Sequence, residues 1–236
     1  MKILSISTSS NICSVAILDD KKVILCKNID DKNTHSEKLM PLIDSTLNEC
    51  NLHLKDINLL ACSVGPGSFT GIRIGIATLK AFYDATSIPV IGITSLEGLA
   101  YNVHQNGFIC SLIDAKHNNV YCSVFKLENN TYTLQDEYIS DNIENILPVL
   151  KKYNDKITFV GDGSTVYKSI IENYLSNSAC FVGENLNKES AISIGLSALD
   201  KYNSGYVGTS STLSPIYLKK SQAERLMDVK KNELNN

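Results

Sequence analysis

The chain of 236 residues has no apolar stretch approaching the ~20 residues a membrane-spanning helix needs, so a spanning protein is excluded and no membrane partner is expected. Its opening, MKILSISTSS, is interrupted by Ser5 and Ser7 before an apolar signal core is complete, and the chain is expected to work in the cytoplasm. Positive charge is not in excess. Lys and Arg number 22 against 25 Asp and Glu, and the one dense basic run, Lys219 to Lys231, is interrupted by Glu224 and Asp228. Tight RNA binding by this chain alone is therefore not expected, because a nucleic-acid site needs a concentrated basic footprint. The seven cysteines are odd in number and include no Cys-x-x-Cys pair, which reads as reduced thiols and not as a disulfide framework. None of the four histidines lies four residues from another, so zinc-hydrolase spacing is absent and no metal site is expected.

What is present is a 43% hydrophobic composition, ample for a packed core. KILSIS, CSVAILD and VILCKNI are short apolar or alternating segments split by the turn compositions TSSN and DDKK, and they predict a three-stranded meander. The segment from Thr34 to Asn51 carries Leu39, Leu42, Ile43 and Leu47 at helical spacing, with Thr34 and Glu37 placed as a capping box and Pro41 placed to kink the helix. His35, Ser36 and Glu37 could also be drawn as a triad fragment, but three neighbours at a helix start point in different directions, and capping accounts for them better. INLLACSV is a strand, GPGSFTGIRIG opens a second helix, and PVIGIT is a further strand.

The second half repeats the order. FICSLIDA, VYCSVFKLE and YTLQDEYIS read as strands, NIENILPVLKKY as a helix, KITFVGDG as a strand, STVYKSIIENYL as a helix and ACFVG as a strand. The fourth strand of each half ends in Gly-x-Gly, Gly65-Pro66-Gly67 and Gly161-Asp162-Gly163, followed by Ser68 or Ser164. Two copies of a βββαβαβ unit imply the duplicated α/β architecture of actin-like (ASKHA, ribonuclease H-like) ATPases, with a cleft between lobes. We expect lobes over residues 1–100 and 101–216 and a tail over 217–236. SAISIGLSALDKY is expected to be a helix completing the second unit.

The glycine-rich turn fails as a P-loop, because Gly71 is followed by Ile72 and Arg73 where Lys-Ser/Thr is required. It also misses the dinucleotide fingerprint, since the third glycine stands one residue late. A helix N-terminus after a strand still offers free amides to a phosphate. On the helix, Ile72, Ile76, Leu79 and Tyr83 form a sheet-facing stripe, and Gly71, Gly75 and Thr78 lie on an adjacent face. Each interior glycine costs ~1 kcal/mol relative to alanine, which calls for close approach by another backbone, either a partner's or that of the same lobe. Actin-like ATPases also need an acid on the first strand to hold metal-bound water, and Ser7 stands there.

The segments HSEKLMPLID, SVGPGSFTGIRIGIATLKAF, PVIGITSLEGLA, LIDAKHNNVY and PIYLKK resemble the TsaB (YeaZ) family in order from Met1 to about Lys220. The resemblance implies a non-catalytic subunit of the bacterial machinery that installs threonylcarbamoyl on adenosine at position 37 of tRNA. It implies pairing with the transferase TsaD, joined by the ATPase TsaE, with tRNA met only through the complex. It further implies a homodimer through the same face, built on His35, Ser36, Glu37, Leu39, Ser68, Phe69, Thr70, Gly71, Arg73, Ile74, Gly75 and Thr78. On that reading Gly75→Trp would leave the chain folded and block association. No cofactor is implied for the chain itself, with ATP or ADP admitted at the boundary with TsaD. Vestigial nucleotide contacts would fall on Ser7, Thr8, Asp114, Gly161, Asp162 and Gly163. The sequence departs from the family where Ser7 replaces an aspartate and where Lys116 replaces an arginine. The alternative is an independent ATP-dependent phosphotransferase or metallopeptidase of the same fold.

Overall fold

The computed structural model describes residues 1–30 and 35–218. The proposed cap residue Thr34 and the basic run Lys219 to Lys231 lie outside the described residues. The first half runs β1 (Lys2–Ser7), β2 (Ile12–Asp19), β3 (Lys22–Asp30), α1 (His35–Glu49), β4 (Leu59–Ser63), α2 (Phe69–Thr86), β5 (Val90–Ile93) and α3 (Ser95–Ala100). The second runs β6 (Gly107–Asp114), β7 (Asn119–Glu128), β8 (Thr131–Asn142), α4 (Ile143–Leu150), β9 (Ile157–Val160), α5 (Asp162–Val166), α6 (Lys168–Leu175), β10 (Ala179–Phe181) and α7 (Ala191–Asn203).

Each half builds a five-stranded sheet, ordered β3-β2-β1-β4-β5 and β10-β9-β6-β7-β8. In both, the meander is antiparallel and the fourth and fifth strands join in parallel, so the repeat legible in the sequence is a repeat of topology. Parallel strands require crossovers, and α2 and α6 supply them.

The outer face of the first sheet is covered by α1 and α2. Leu39, Leu42, Ile43 and Leu47 from α1 and Ile72, Ile76 and Leu79 from α2 pack on Leu4, Ile6, Val15, Ile17 and Leu60. The helix α1 runs through Pro41, which lies on its exposed side. The predicted helix over STVYKSIIENYL is divided at Tyr167 into α5 and α6.

One expectation is corrected. Helix α7 does not complete the second unit; Ala191, Ile194, Ala198 and Leu199 pack on Ile3, Ala16, Leu18, Leu59, Ile91 and Ile93 of the first sheet. The reason lies in its composition. Gly195 lets the helix lie close to β1, where a Cβ on it would come within 2.8 Å of Ser5 Oγ, while Ser193 and Ser197 on its other side donate to Asn102 Oδ1 and, at 2.6 Å, to Glu97 Oε1 of α3. Conversely α3, which follows the first sheet, packs through Leu96, Leu99 and Ala100 on Ile109, Phe125 and Val160 of the second. The two helices thus exchange halves and form the layer between the sheets. All seven cysteines are free thiols, as expected. Among the described residues, no helix is long and apolar enough to cross a membrane.

Candidate functional site: the first-strand turn, the cleft and the outer helix face

The turn after β1 holds a buried carboxylate that the sequence did not reveal. Glu189, two residues ahead of α7 and 8% exposed, accepts hydrogen bonds from Ser7 Oγ (3.0 Å to Oε2), from Ser63 Oγ (3.0 Å to Oε1) and from Ser9 Oγ. Ser95 Oγ donates to Ser9 Oγ at 3.0 Å and lies 3.0 Å from Ser63 Oγ. Removing a carboxylate from water is costly unless its lone pairs are met, and three hydroxyls at the ends of β1 and β4 meet them. The adjacent N-terminus of α7 adds a favourable dipole. Lys188-Glu189-Ser190 reads in sequence as an ordinary polar helix start, and Ser190 does cap Ile192 N, so only the three-dimensional approach of α7 to β1 singles out Glu189.

This arrangement does not fit a metal-nucleotide group. The residue that should carry the acid is Ser7, 1% exposed, and its hydroxyl is committed to Glu189, a cleft-lining carboxylate whose oxygens accept from three serines. Among the described residues no group of three or more His, Cys, Asp or Glu side chains converges as a metal site.

The Gly65-Pro66-Gly67 turn is filled by the chain itself. Gly65 has φ +101°, and a Cβ there would lie 2.7 Å from Ile216 O, because the segment carrying Leu213 and Ile216 folds back and Ile216 N donates to Val64 O at 2.8 Å. The amide of Ser68 donates to Ser9 O at 2.7 Å, and Ser68 Oγ caps Gly71 N at 3.2 Å. The first turn of α2 is therefore capped by Ser68 and strapped to the turn after β1, and Pro66, Gly67 and Ser68 line the cleft between the lobes. Tyr217 ends this strap, stacked on Phe69 with ring centroids 4.4 Å apart and accepting from Arg73 Nε at 2.7 Å.

Between the lobes lies a cleft of about 510 Å³. Of the positions read as vestigial nucleotide contacts, Asp114 and Asp162 line it, whereas Ser7 and Thr8 are buried beneath its floor and Gly161 and Gly163 press on the backbone of Leu112. Asp114 is locked in place: Lys116 Nζ approaches Oδ2 at 2.6 Å, while the Lys116 amide (2.9 Å) and the Tyr167 phenol Oη (3.0 Å) donate to Oδ1. Burial alone would push this carboxyl up, but these donors outweigh it and hold it below the usual aspartate value. Asp162 Oδ1 in turn accepts from the Asp114 amide at 3.0 Å.

The residues assigned to the outer face of α1 and α2 separate into two groups. Ser36, Glu37, Ser68, Thr70 and Arg73 are exposed, and His35, Phe69, Ile74 and Thr78 are half-buried. Leu39, Gly71 and Gly75 belong inside, which corrects their assignment: Leu39 is 1% exposed in the core, and both glycines face β1 and the turn after it. A Cβ on Gly71 would lie 1.9 Å from Thr8 O, and one on Gly75 would lie 2.6 Å from Thr8 Oγ1. The close approach demanded by these glycines is therefore made within the lobe. The outward side of α2 is formed instead by Arg73, Ala77 and Ala81, and on α1 Met40 is also exposed.

Two sheets of this topology, with crossing helices between them and a cleft above the first-strand turns, define a two-lobed actin-like α/β protein. The same fold is found in the ROK hexokinase of Thermus thermophilus (TM-score 0.54, 8% identity, covering 86% of this chain and 100% of that one). The chain is 32% identical over 187 residues to the tRNA threonylcarbamoyladenosine biosynthesis protein TsaB of Bacillus subtilis, covering 78% of this chain and 80% of that protein. It belongs to the TsaB (YeaZ) family. YeaZ from Pseudomonas aeruginosa shares the fold over 92% of this chain and 99% of its own, with a TM-score of 0.75 and 22% identity. Residues 30–226 also match the family model described as TsaD, tRNA N6-adenosine threonylcarbamoyltransferase.

Proposed function

We propose that the chain is a non-catalytic subunit in the synthesis of threonylcarbamoyladenosine at position 37 of tRNA, binding and supporting TsaD, with TsaE joining the pair. Family membership supports the pathway, and the match to the TsaD model fits a protein related to the transferase it would pair with. The observation that carries the non-catalytic role is the first-strand turn, where Ser7 and a Glu189 tied to three serine hydroxyls replace the acid a metal-nucleotide site requires. The chain brings no cofactor of its own in this account; ATP or ADP would sit at the boundary with TsaD, and tRNA would be met through the complex in the cytoplasm.

The partner surface in this reading is the outward side of α1 and α2: Ser36, Glu37, Met40, Thr70, Arg73, Ile74, Ala77 and Thr78, extended by the Phe69–Tyr217 stack. A second copy of the chain would use the same surface, so homodimer and TsaD complex would exclude each other. Small side chains at Ala77 and Ala81 let a facing helix approach closely. Ala77→Arg, at an exposed position, is expected to leave the unfolding midpoint unchanged and to weaken co-elution with TsaD by roughly tenfold or more. Co-elution at full strength would place the contact elsewhere.

A further inference from the structure

The turn formed by Thr8, Ser9 and Ser10 touches the start of both outer helices. His35 Nε2, in the first turn of α1, donates to Ser10 O at 2.7 Å. The amide of Ser68, the cap of α2, donates to Ser9 O at 2.7 Å, and Thr8 Oγ1 donates to Gly71 O at 2.7 Å. Gly67 and Gly71 are held against the same turn, since a Cβ on either would meet Ser9 O or Thr8 O within 2.2 Å. These three residues therefore fix where α1 and α2 begin. The turn itself is anchored from below through one charged group: Glu189 accepts from Ser7 Oγ and Ser9 Oγ while holding Ser63 Oγ of β4.

We propose that Glu189 is a positioning residue for the partner surface, fixing the Thr8–Ser10 turn and, through it, the N-terminal turns of α1 and α2. Glu189 lies outside that surface, 182 residues from Ser7 in the chain, and reaches it only because α7 packs on the first sheet. The charge matters because a carboxylate can accept from all three hydroxyls at once, which no neutral side chain of this size does. Loss of Glu189 leaves Ser7, Ser9 and Ser63 to re-pair among themselves, freeing the turn to move while the sheet beneath remains hydrogen-bonded. The link to TsaD rests on the function proposed above; the positioning of the turn does not.

The test compares amide hydrogen exchange and TsaD affinity in the full chain for wild type, Glu189→Ala, Glu189→Gln and Ser9→Ala. Ser9→Ala removes one donor and keeps the backbone, and so stands in should Glu189→Ala fail to fold. The expected result is exchange at residues 8–11, 35–38 and 68–72 faster by about tenfold or more in Ser9→Ala and Glu189→Ala, with β9 unchanged. TsaD affinity should fall in parallel, and Glu189→Gln should recover part of both because its carbonyl oxygen still accepts. Unchanged local exchange in the folded variants, or acceleration spread evenly over the whole first sheet, would overturn the proposal. So would a loosened turn with undiminished TsaD affinity. A wild-type chain that fails to bind TsaD would instead sink the proposed function, leaving the exchange comparison to decide the role of Glu189.

Discussion

Gly75→Trp is expected to prevent the first lobe from folding, and Gly71→Ala to lower stability by roughly 2–3 kcal/mol. Both glycines lie between α2 and the turn after β1, with no room for a side chain. At Gly71 the obstacle is the Thr8 carbonyl, 1.9 Å from an added Cβ, in a turn whose next two carbonyls, Ser9 O and Ser10 O, are hydrogen-bonded, so it cannot step aside as a flexible side chain would. A backbone clash this close puts the cost at or above the upper end of the ~1–3 kcal/mol usual for overpacking, and the helix-propensity gain of alanine returns only ~1 kcal/mol, which leaves about 2–3 kcal/mol. At Gly75 the neighbour is Thr8 Oγ1, which bonds Gly71 O, so an indole there must displace the side chain that ties the helix to the turn. Urea unfolding of the alanine variant and soluble yield of the tryptophan variant measure these effects. A Gly75→Trp protein that unfolds at the wild-type midpoint would put Gly75 on the outer surface, as spacing alone allowed.

Ser7→Asp, which restores the residue usual in the family, is expected to destabilise this protein by about 3 kcal/mol at neutral pH. Ser7 Oγ lies 3.0 Å from Glu189 Oε2, so the new carboxylate would face a buried one with no cation between them. It would also remove a donor that Glu189 uses. Glu189→Gln in the same chain should recover most of the loss, because the amide relieves the repulsion and can donate to Asp at position 7. A Ser7→Asp variant as stable as wild type, or a double variant no better than the single, would show that the carboxylate at 189 does not fill the place of the missing acid.

Much of the fold was legible because its signals are local. Alternation in CSVAILD, helical spacing from Leu39 to Leu47 and the recurrence of Gly-x-Gly after the fourth strand of each half are properties of contiguous segments, and the duplicated topology follows from their order. What was not legible depends on which half a helix packs against. SAISIGLSALDKY shows the same apolar periodicity whether it covers the second sheet or the first, so neither its crossing to β1 nor the delivery of Glu189 to Ser7 could be read from it. The glycines of α2 illustrate the limit in another way. Their presence correctly demanded a close backbone, but spacing does not say whose, and Thr8 of the same lobe supplied it. Ser9, Ser63 and Ser95 went unnoticed because serine at a strand end or helix start is ordinary, and only the convergence of Ser9 and Ser63 on one carboxylate, with Ser95 bonded to both, gives them a role.

The central claim is that this chain supports threonylcarbamoyl transfer without performing chemistry of its own. Its most direct test is a reconstituted modification assay in which TsaD, TsaE, threonylcarbamoyl-adenylate and tRNA are combined with and without the chain, beside a control in which the chain alone receives ATP and Mg²⁺. The account predicts modified tRNA only when the chain is present and no ATP turnover in the control. Modification that proceeds equally well without the chain, or steady ATP turnover by the chain alone, would contradict it.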